Sequence, residues 1–298
     1  MKNLEMGVQT ARWYEEDKPA ESLKFIKECG FEAVDYNISN LFDTTFDEDK
    51  MTSFFDKTVE ELRKYWEPMK NALNETGITI SQAHGIGMVY YKGEDKKNAY
   101  LMEVTDKMIA ICAYLGCPMI VIHPWTGWLV RLENEFETNM QIYRRLMPAA
   151  KKYGVKICLE NYPHSDVAEA CEYIDLLNAE AGEELFSYCY DVGHAIMGKQ
   201  NICKDIKTLG KRITAVHLHE NNGVADTHLM PFSQMNVEGN SRTVDWEAVM
   251  QALKEIGYEG ALSFETFNAI KWIPQRMKKP ALVYICEAGK YFRELMTE

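Results

Sequence analysis

The stretch Ala215-Val216-His217-Leu218-His219 is an apolar run closed by two imidazoles, and Glu220-Asn221-Asn222-Gly223 and then Asp226-Thr227-His228 follow it. Such a run reads as a buried strand whose last residues emerge into a chemically reactive loop. The ending recurs along the chain: His84-Gly85, His123-Pro124-Trp125, Glu160-Asn161, Asp191-Val192-Gly193-His194 and Glu265-Thr266 each close an apolar run. Imidazole nitrogens and carboxylate oxygens are donors for divalent cations, and the same groups transfer protons. Buried together without partners, these ionisable groups would cost several kcal/mol each. A cation held by three carboxylates and an imidazole removes that repulsion, so a divalent metal is expected here.

The elements that must position these residues follow a regular alternation. Strand patterns are predicted at 4–10, 31–37, 78–83, 119–122, 155–159, 186–190, 215–219 and 260–264. Helical periodicity fills the intervals at 19–29, 52–76, 98–115, 135–153, 166–181, 202–209 and 245–256, with a last helix at 275–295. Glycines such as Gly30, Gly77, Gly116, Gly154 and Gly182 stop the helices, and Asp245 is a plausible N-cap. Short strands alternating with helices argue for a parallel sheet. Gly7-Val8-Gln9-Thr10-Ala11 lacks the glycine-rich phosphate turn of a doubly wound sheet. Eight units in one chain predict an α/β fold of the (β/α)8 barrel type, a single domain over residues 1–298.

In such a barrel all carboxyl ends of the strands meet at one face. His84, His123, Glu160, Asp191, His194, His217, His219, Asp226, His228 and Glu265 are therefore expected to converge. Taken singly, each has a structural reading, and Asp191-x-x-His194 also fits a helix-capping turn. Placement of Glu160, Asp191, His217 and Glu265 on four consecutive strands argues for a joint role. His219 lies two residues after His217, so a straight strand would turn both to one side. His164 sits in a Pro-His-Ser turn and is left out of the set.

The chain of 298 residues is 46% hydrophobic, enough for a large core, and its net charge is −12. That charge argues against a general affinity for nucleic acid or anionic membranes. The eight cysteines form no C-x-x-C pair and read as buried free thiols. Residues 1–6 have no apolar core of signal-peptide length, and there is no run of about 18 apolar residues. A cytoplasmic location is expected; a homo-oligomer is compatible with the sequence but not specified by it.

Leu159-Glu160-Asn161, Asp191-Val192-Gly193-His194, Val216-His217-Leu218 and Ser263-Phe264-Glu265 together resemble the sugar phosphate isomerase/epimerase superfamily, the xylose isomerase-like barrels. Ketose 3-epimerases, hydroxypyruvate isomerase, inosose dehydratase and endonuclease IV belong to it. The resemblance implies that Glu160, Asp191, His217 and Glu265 ligate a shared metal and that His194 binds substrate or a second metal. His84, His123, Asp226 and His228 match positions that complete a three-metal cluster in endonuclease IV. Residues 229–239 replace the family's short Pro-Gly-x-Gly turn, and Gly223 stands where ketose 3-epimerases usually carry an arginine. The second departure argues against a ketose 3-epimerase assignment and leaves the substrate open.

The function expected on this basis is a metal-dependent isomerase or epimerase of a small ketose, aldose or polyol. The metal would stabilise an enediolate, and Glu160 and Glu265 would form the acid/base pair. Trp13, Trp125 and Trp128 are candidates for an apolar wall beside the sugar. Arg12 and Arg242 are the cations available for a phosphate, and an uncharged sugar is preferred. Oxygen-rich ligation suits Mn2+ or Mg2+, the extra histidines favour Zn2+, and Co2+ also fits. An inosose-type dehydratase on the same metal site is the alternative, followed by an endonuclease IV-like phosphodiesterase.

Overall fold

The computed structural model describes residues 4–43, 45–47, 50–87, 89–127, 130–235, 242–271 and 273–297. Eight parallel strands form the central sheet: β1 (Met6–Gln9), β2 (Ala33–Tyr36), β5 (Thr79–His84), β6 (Met119–Ile122), β7 (Lys156–Glu160), β8 (Phe186–Asp191), β9 (Ile213–His217) and β10 (Leu262–Phe264). Their order is β10-β1-β2-β5-β6-β7-β8-β9. Just past β9, Leu218 bridges Phe264 in parallel, with Leu218 N–H donating to the Ser263 carbonyl at 2.8 Å, so the sheet closes into a barrel. β3 (Thr45–Asp47) and β4 (Lys50–Thr52) form a separate antiparallel hairpin in the loop after β2.

The surrounding helices are α1 (Pro19–Glu28), α2 (Val59–Thr76), α3 (Asp95–Leu115), α4 (Glu135–Tyr153), α5 (Val167–Ala181), α6 (Val192–Met197), α7 (Ile202–Leu209), α8 (Trp246–Glu255) and α9 (Gln275–Thr297). The sequence predicts a helix from residue 52, yet α2 begins at Val59. Thr58 and Glu61 make a capping box there, with Thr58 N–H donating to Glu61 Oε2 at 2.8 Å, and this fixes the start. Gly77 ends α2 at φ 68°, a conformation that costs glycine nothing. Among the described residues, no helix is long and apolar enough to cross a membrane. All eight cysteines are free and six are buried.

The barrel interior explains how the site is carried. Val121, Cys158, Cys189 and Ala215 form a fully buried layer of small and medium side chains on four adjacent strands. Two residues further along these strands stand His123, Glu160, Asp191 and His217. Because alternate strand residues share a face, the apolar layer is the floor on which the polar layer rests. Ser263 and Glu265 repeat the relation on β10 and just past its end, as do Ala33 and Asp35 on β2.

Candidate metal centre

Glu160, Asp191, His217 and Glu265 bring one ligand atom each to within 4.8 Å of one another, and all four residues are buried. His217 Nδ1 is the centre of the group. It lies 2.7 Å from Glu160 Oε1, 3.2 Å from Glu265 Oε2 and 3.6 Å from Asp191 Oδ2. Its other nitrogen, Nε2, is 2.9 Å from Asp35 Oδ2. Asp35 in turn accepts from Gln82 Nε2 at 3.0 Å, and the strand register sets these two residues opposite each other. A carboxylate behind a ligand histidine fixes its tautomer and raises the basicity of the nitrogen that faces the metal. Gln9 Nε2 holds Glu265 in the same way, at 2.5 Å from Oε1.

Two further groups flank this centre. On one side, His123 Nε2 lies 2.5 Å and His84 Nε2 3.6 Å from Glu160 Oε2. On the other, Asp226 Oδ2 lies 2.8 Å from His228 Nε2 and 3.3 Å from His194 Nε2. His194 donates from Nδ1 to the Asn161 carbonyl at 2.7 Å, which leaves Nε2 turned toward Asp226. Asp191 caps α6, accepting from His194 N–H at 2.6 Å, so capping and membership of the cluster coexist in one side chain. His219 is fully buried, 2.9 Å from Asp191 Oδ2, and its ring stacks on His228 at 4.3 Å. Gly193 makes room for it: a Cβ there would sit 2.0 Å from His219 Cε1.

The loop after β9 is built to present Asp226 and His228. Glu220 and Leu229 exchange backbone hydrogen bonds at 2.9 and 3.0 Å, closing the loop at its base. The Glu220 side chain, fully buried, accepts from Phe232, Ser233 and Gln234 N–H and from Trp246 Nε1 at 2.6–2.9 Å. Asn221 Oδ1 accepts from Thr227 N–H at 2.7 Å and His228 N–H at 3.3 Å, which sets the positions of the two donors.

The electrostatics match a cation site. Burial pushes the Glu160 carboxyl up, but the imidazoles of His217 and His123 outweigh it and hold it well below the usual range. Burial likewise opposes ionisation of Asp191, and His194 and His219 overcome it. Burial depresses the His84 and His194 imidazoles, yet the facing carboxylates raise them to about 9 and about 10. Protons alone thus let the histidines supply the positive charge that the carboxylates demand. A divalent cation supplies that charge through the same atoms. Buried Glu160 Oε2, His123 Nε2, His219 Nδ1 and His228 Nδ1 also lack a hydrogen bond. The 2.5 Å approach of the first two is misaligned for N–H···O, as expected of atoms aimed at a shared third partner. The donor set therefore fits a divalent metal.

The profile of the family described as "Xylose isomerase-like TIM barrel" matches residues 23–283. The chain belongs to that family. An uncharacterized protein, y4fM of Sinorhizobium fredii, is 26% identical over 271 residues, covering 86% of this chain and 83% of the relative. Inosose dehydratase of Clostridium perfringens is 22% identical over 318 residues, covering 98% of this chain and 97% of that protein. Among solved structures, L-ribulose 3-epimerase superposes with a TM-score of 0.71 at 15% identity, covering 99% of this chain and 96% of that one. At that identity the likeness is one of fold.

In this xylose isomerase-like barrel, the structure draws the nine strand-end donors and His219 into one contiguous polar cluster, and gives His219 the role that the sequence left open. The aromatic residues have packing partners of their own. Trp125 packs edge-on against Tyr90 at 5.4 Å, with its backbone N–H donating to Asn139 Oδ1 at 2.7 Å, and Trp13 is buried beside a cavity at the β1 loop. Trp128 lies outside the described residues, as do positions 236–239 of the departing stretch. His164 is half-buried and bonded to Thr126 Oγ1 at 2.8 Å, a partner its turn sequence does not suggest. Sequence reasoning missed Asp35, Gln9, Gln82 and Glu220. A signal for Asp35 existed: a carboxylate inside an apolar strand pattern, with no turn residue beside it, needs a buried partner.

Proposed function

We propose that this chain is a divalent-metal-dependent isomerase or epimerase of small sugars or polyols. The observation that carries the reading is the approach of two buried carboxylates, Glu160 at the end of β7 and Glu265 just past β10, to His217 Nδ1 at 2.7 and 3.2 Å. Glu160, Asp191, His217 and Glu265 would hold the cation, with Mn2+ or Zn2+ the best match to mixed oxygen and nitrogen donors. When bound, it supplies electrophilic polarisation of a substrate carbonyl. The chain's own residues move the proton. One of the two glutamates takes it from the carbon beside the carbonyl. The other delivers a proton to the opposite face of that carbon in epimerisation, or the proton returns to the neighbouring carbon in isomerisation. His194 Nε2, turned into the site by the Asn161 carbonyl, binds a substrate hydroxyl. The similarity to a protein named inosose dehydratase supports polyol chemistry, and expulsion of a hydroxyl from the same deprotonated substrate is the alternative outcome.

Glu160→Gln and Glu265→Gln are expected to lower turnover of a sugar and polyol panel by about 100-fold or more, with the far-ultraviolet spectrum unchanged. Solvent deuterium should enter the product only with wild-type protein. Turnover surviving in both variants would refute the two-glutamate mechanism. A second reading, phosphodiester hydrolysis, is favoured by one observation: the flanking groups around His123 and Asp226 offer donors for additional metals. Nicking of abasic-site DNA with about three bound metals would select that reading over sugar turnover.

A further inference from the structure

A cavity of about 210 Å3 opens between the loop after β1 and the start of α9, lined among others by Arg12, Trp13, Lys18, Ser22 and Lys278. We propose that it is an anion subsite that takes a phosphate or carboxylate group. Three independent features support it. Trp13 is only 5% exposed, yet its indole N–H has no hydrogen-bond partner. A buried N–H donor without an acceptor is costly, and an anionic oxygen in the adjoining cavity would satisfy it. The first turn of α9 carries Arg276 and Lys278 and no acidic residue. Cations at a helix N-terminus oppose the helix dipole, so that turn is stabilised by an anion from outside the helix. Finally, Arg12 is held at φ 66° in the turn made by Trp13 and Tyr14 N–H donating to the Thr10 carbonyl. A left-handed arginine is strained, and such strain concentrates at ligand clamps.

The charges around the cavity favour the same ligand. Arg12, Lys18 and Lys278 face Glu15 and Glu21, and Glu15 is taken up by Lys18 at 2.6 Å. Arg242, the other cation considered from sequence, pairs with Glu247 at 3.1 Å and does not line this cavity. The subsite is close to the metal centre along the chain. Three residues, at most about 11 Å, separate Arg12 from Gln9, whose amide holds Glu265. A sugar bearing a phosphate or carboxylate at its far end is the substrate class that this second anchor would favour over an uncharged sugar. That extension rests on the sugar reading above; the anion subsite itself does not.

Isothermal titration of the metal-loaded chain with inorganic phosphate tests the proposal. Wild-type protein is expected to bind, and Arg12→Gly, Trp13→Phe and Lys278→Ala each to bind at least tenfold more weakly. Arg12→Gly also relieves the φ strain, so the variant folds. No binding, or one affinity shared by wild type and all three variants, overturns the subsite, since phosphate on the metal centre would ignore these substitutions. A second arm compares a sugar phosphate with its unphosphorylated counterpart. If Arg12→Gly raises KM tenfold more for the phosphorylated sugar, the anionic group belongs to the substrate. If phosphate binding depends on Arg12 while no sugar is turned over, the subsite stands as a free-anion site and the sugar reading fails.

Discussion

Replacing Asp35 with asparagine isolates the least visible part of the metal centre. Asp35 and His217 are both fully buried, and His217 Nε2 lies 2.9 Å from Asp35 Oδ2. With a carboxylate there, Nε2 keeps its proton, and Nδ1 is the nitrogen that gives up its proton and offers its lone pair to a cation held with Glu160, Glu265 and Asp191. An asparagine of the same shape offers a neutral acceptor at best. A hydrogen bond to a charged group is worth about 1.5–3 kcal/mol and a neutral one about 1 kcal/mol, so orientation of the imidazole weakens by roughly 0.5–2 kcal/mol. If the amide instead turns its NH2 toward Nε2, the proton moves to Nδ1 and blocks the cation. Partners behind a metal-ligating histidine typically govern affinity by about 10–100-fold, or about 1.4–2.7 kcal/mol. Asp35→Asn should therefore bind metal 10–100-fold more weakly, by these estimates, in competition with a chromophoric chelator. Circular dichroism in excess chelator checks that the fold survives. A metal affinity within about twofold of wild type would show that Asp35 does not set the tautomer, and the account of the site would have to be rebuilt.

Two further substitutions test the supports of the site. Glu220→Gln sets an amide against four N–H donors and leaves at least two of them unmatched. It should cost about 2–3 kcal/mol in urea unfolding and speed proteolysis between residues 229 and 234; an unchanged midpoint would show that the loop is held elsewhere. Glu16 concerns pH. Burial pushes its carboxyl from 4.5 up to about 7, against the opposing hydrogen bond from Tyr36. A carboxyl raised on folding contributes stability at low pH, and that contribution is lost as the pH climbs through the folded value. Wild-type stability relative to Glu16→Gln should therefore fall between pH 4.5 and 7; a difference that stays flat across this window would mean that Glu16 is not held neutral.

Much of the architecture is local and therefore readable. Apolar runs of strand length, helical periods and terminal glycines mark the alternating units from β1 to α9, and a chain of eight such units closes as a barrel. The departures are local too. Thr58 and Glu61 cap a helix that periodicity would start at residue 52, because a reciprocal pair of hydrogen bonds outweighs one more apolar turn. His219 shows the limit of pattern reading: alternation puts it on the same side as His217, but only its bond to Asp191, and the space above Gly193, gives it a place in the cluster.

By itself, then, the sequence determined which residues stand at the ends of the barrel strands and that they are chemically matched to a cation, since both follow from a period of two and from residue type. Only the tertiary structure decided how they are shared out. The bond between Asp35 and His217 joins residues 182 apart, and that between Glu160 and His217 residues 57 apart. No local pattern encodes either distance. Barrel closure and strand register bring these atoms together, and burial turns their meeting into a binding site, because ionisable groups removed from water must find their partners in one another or in a metal.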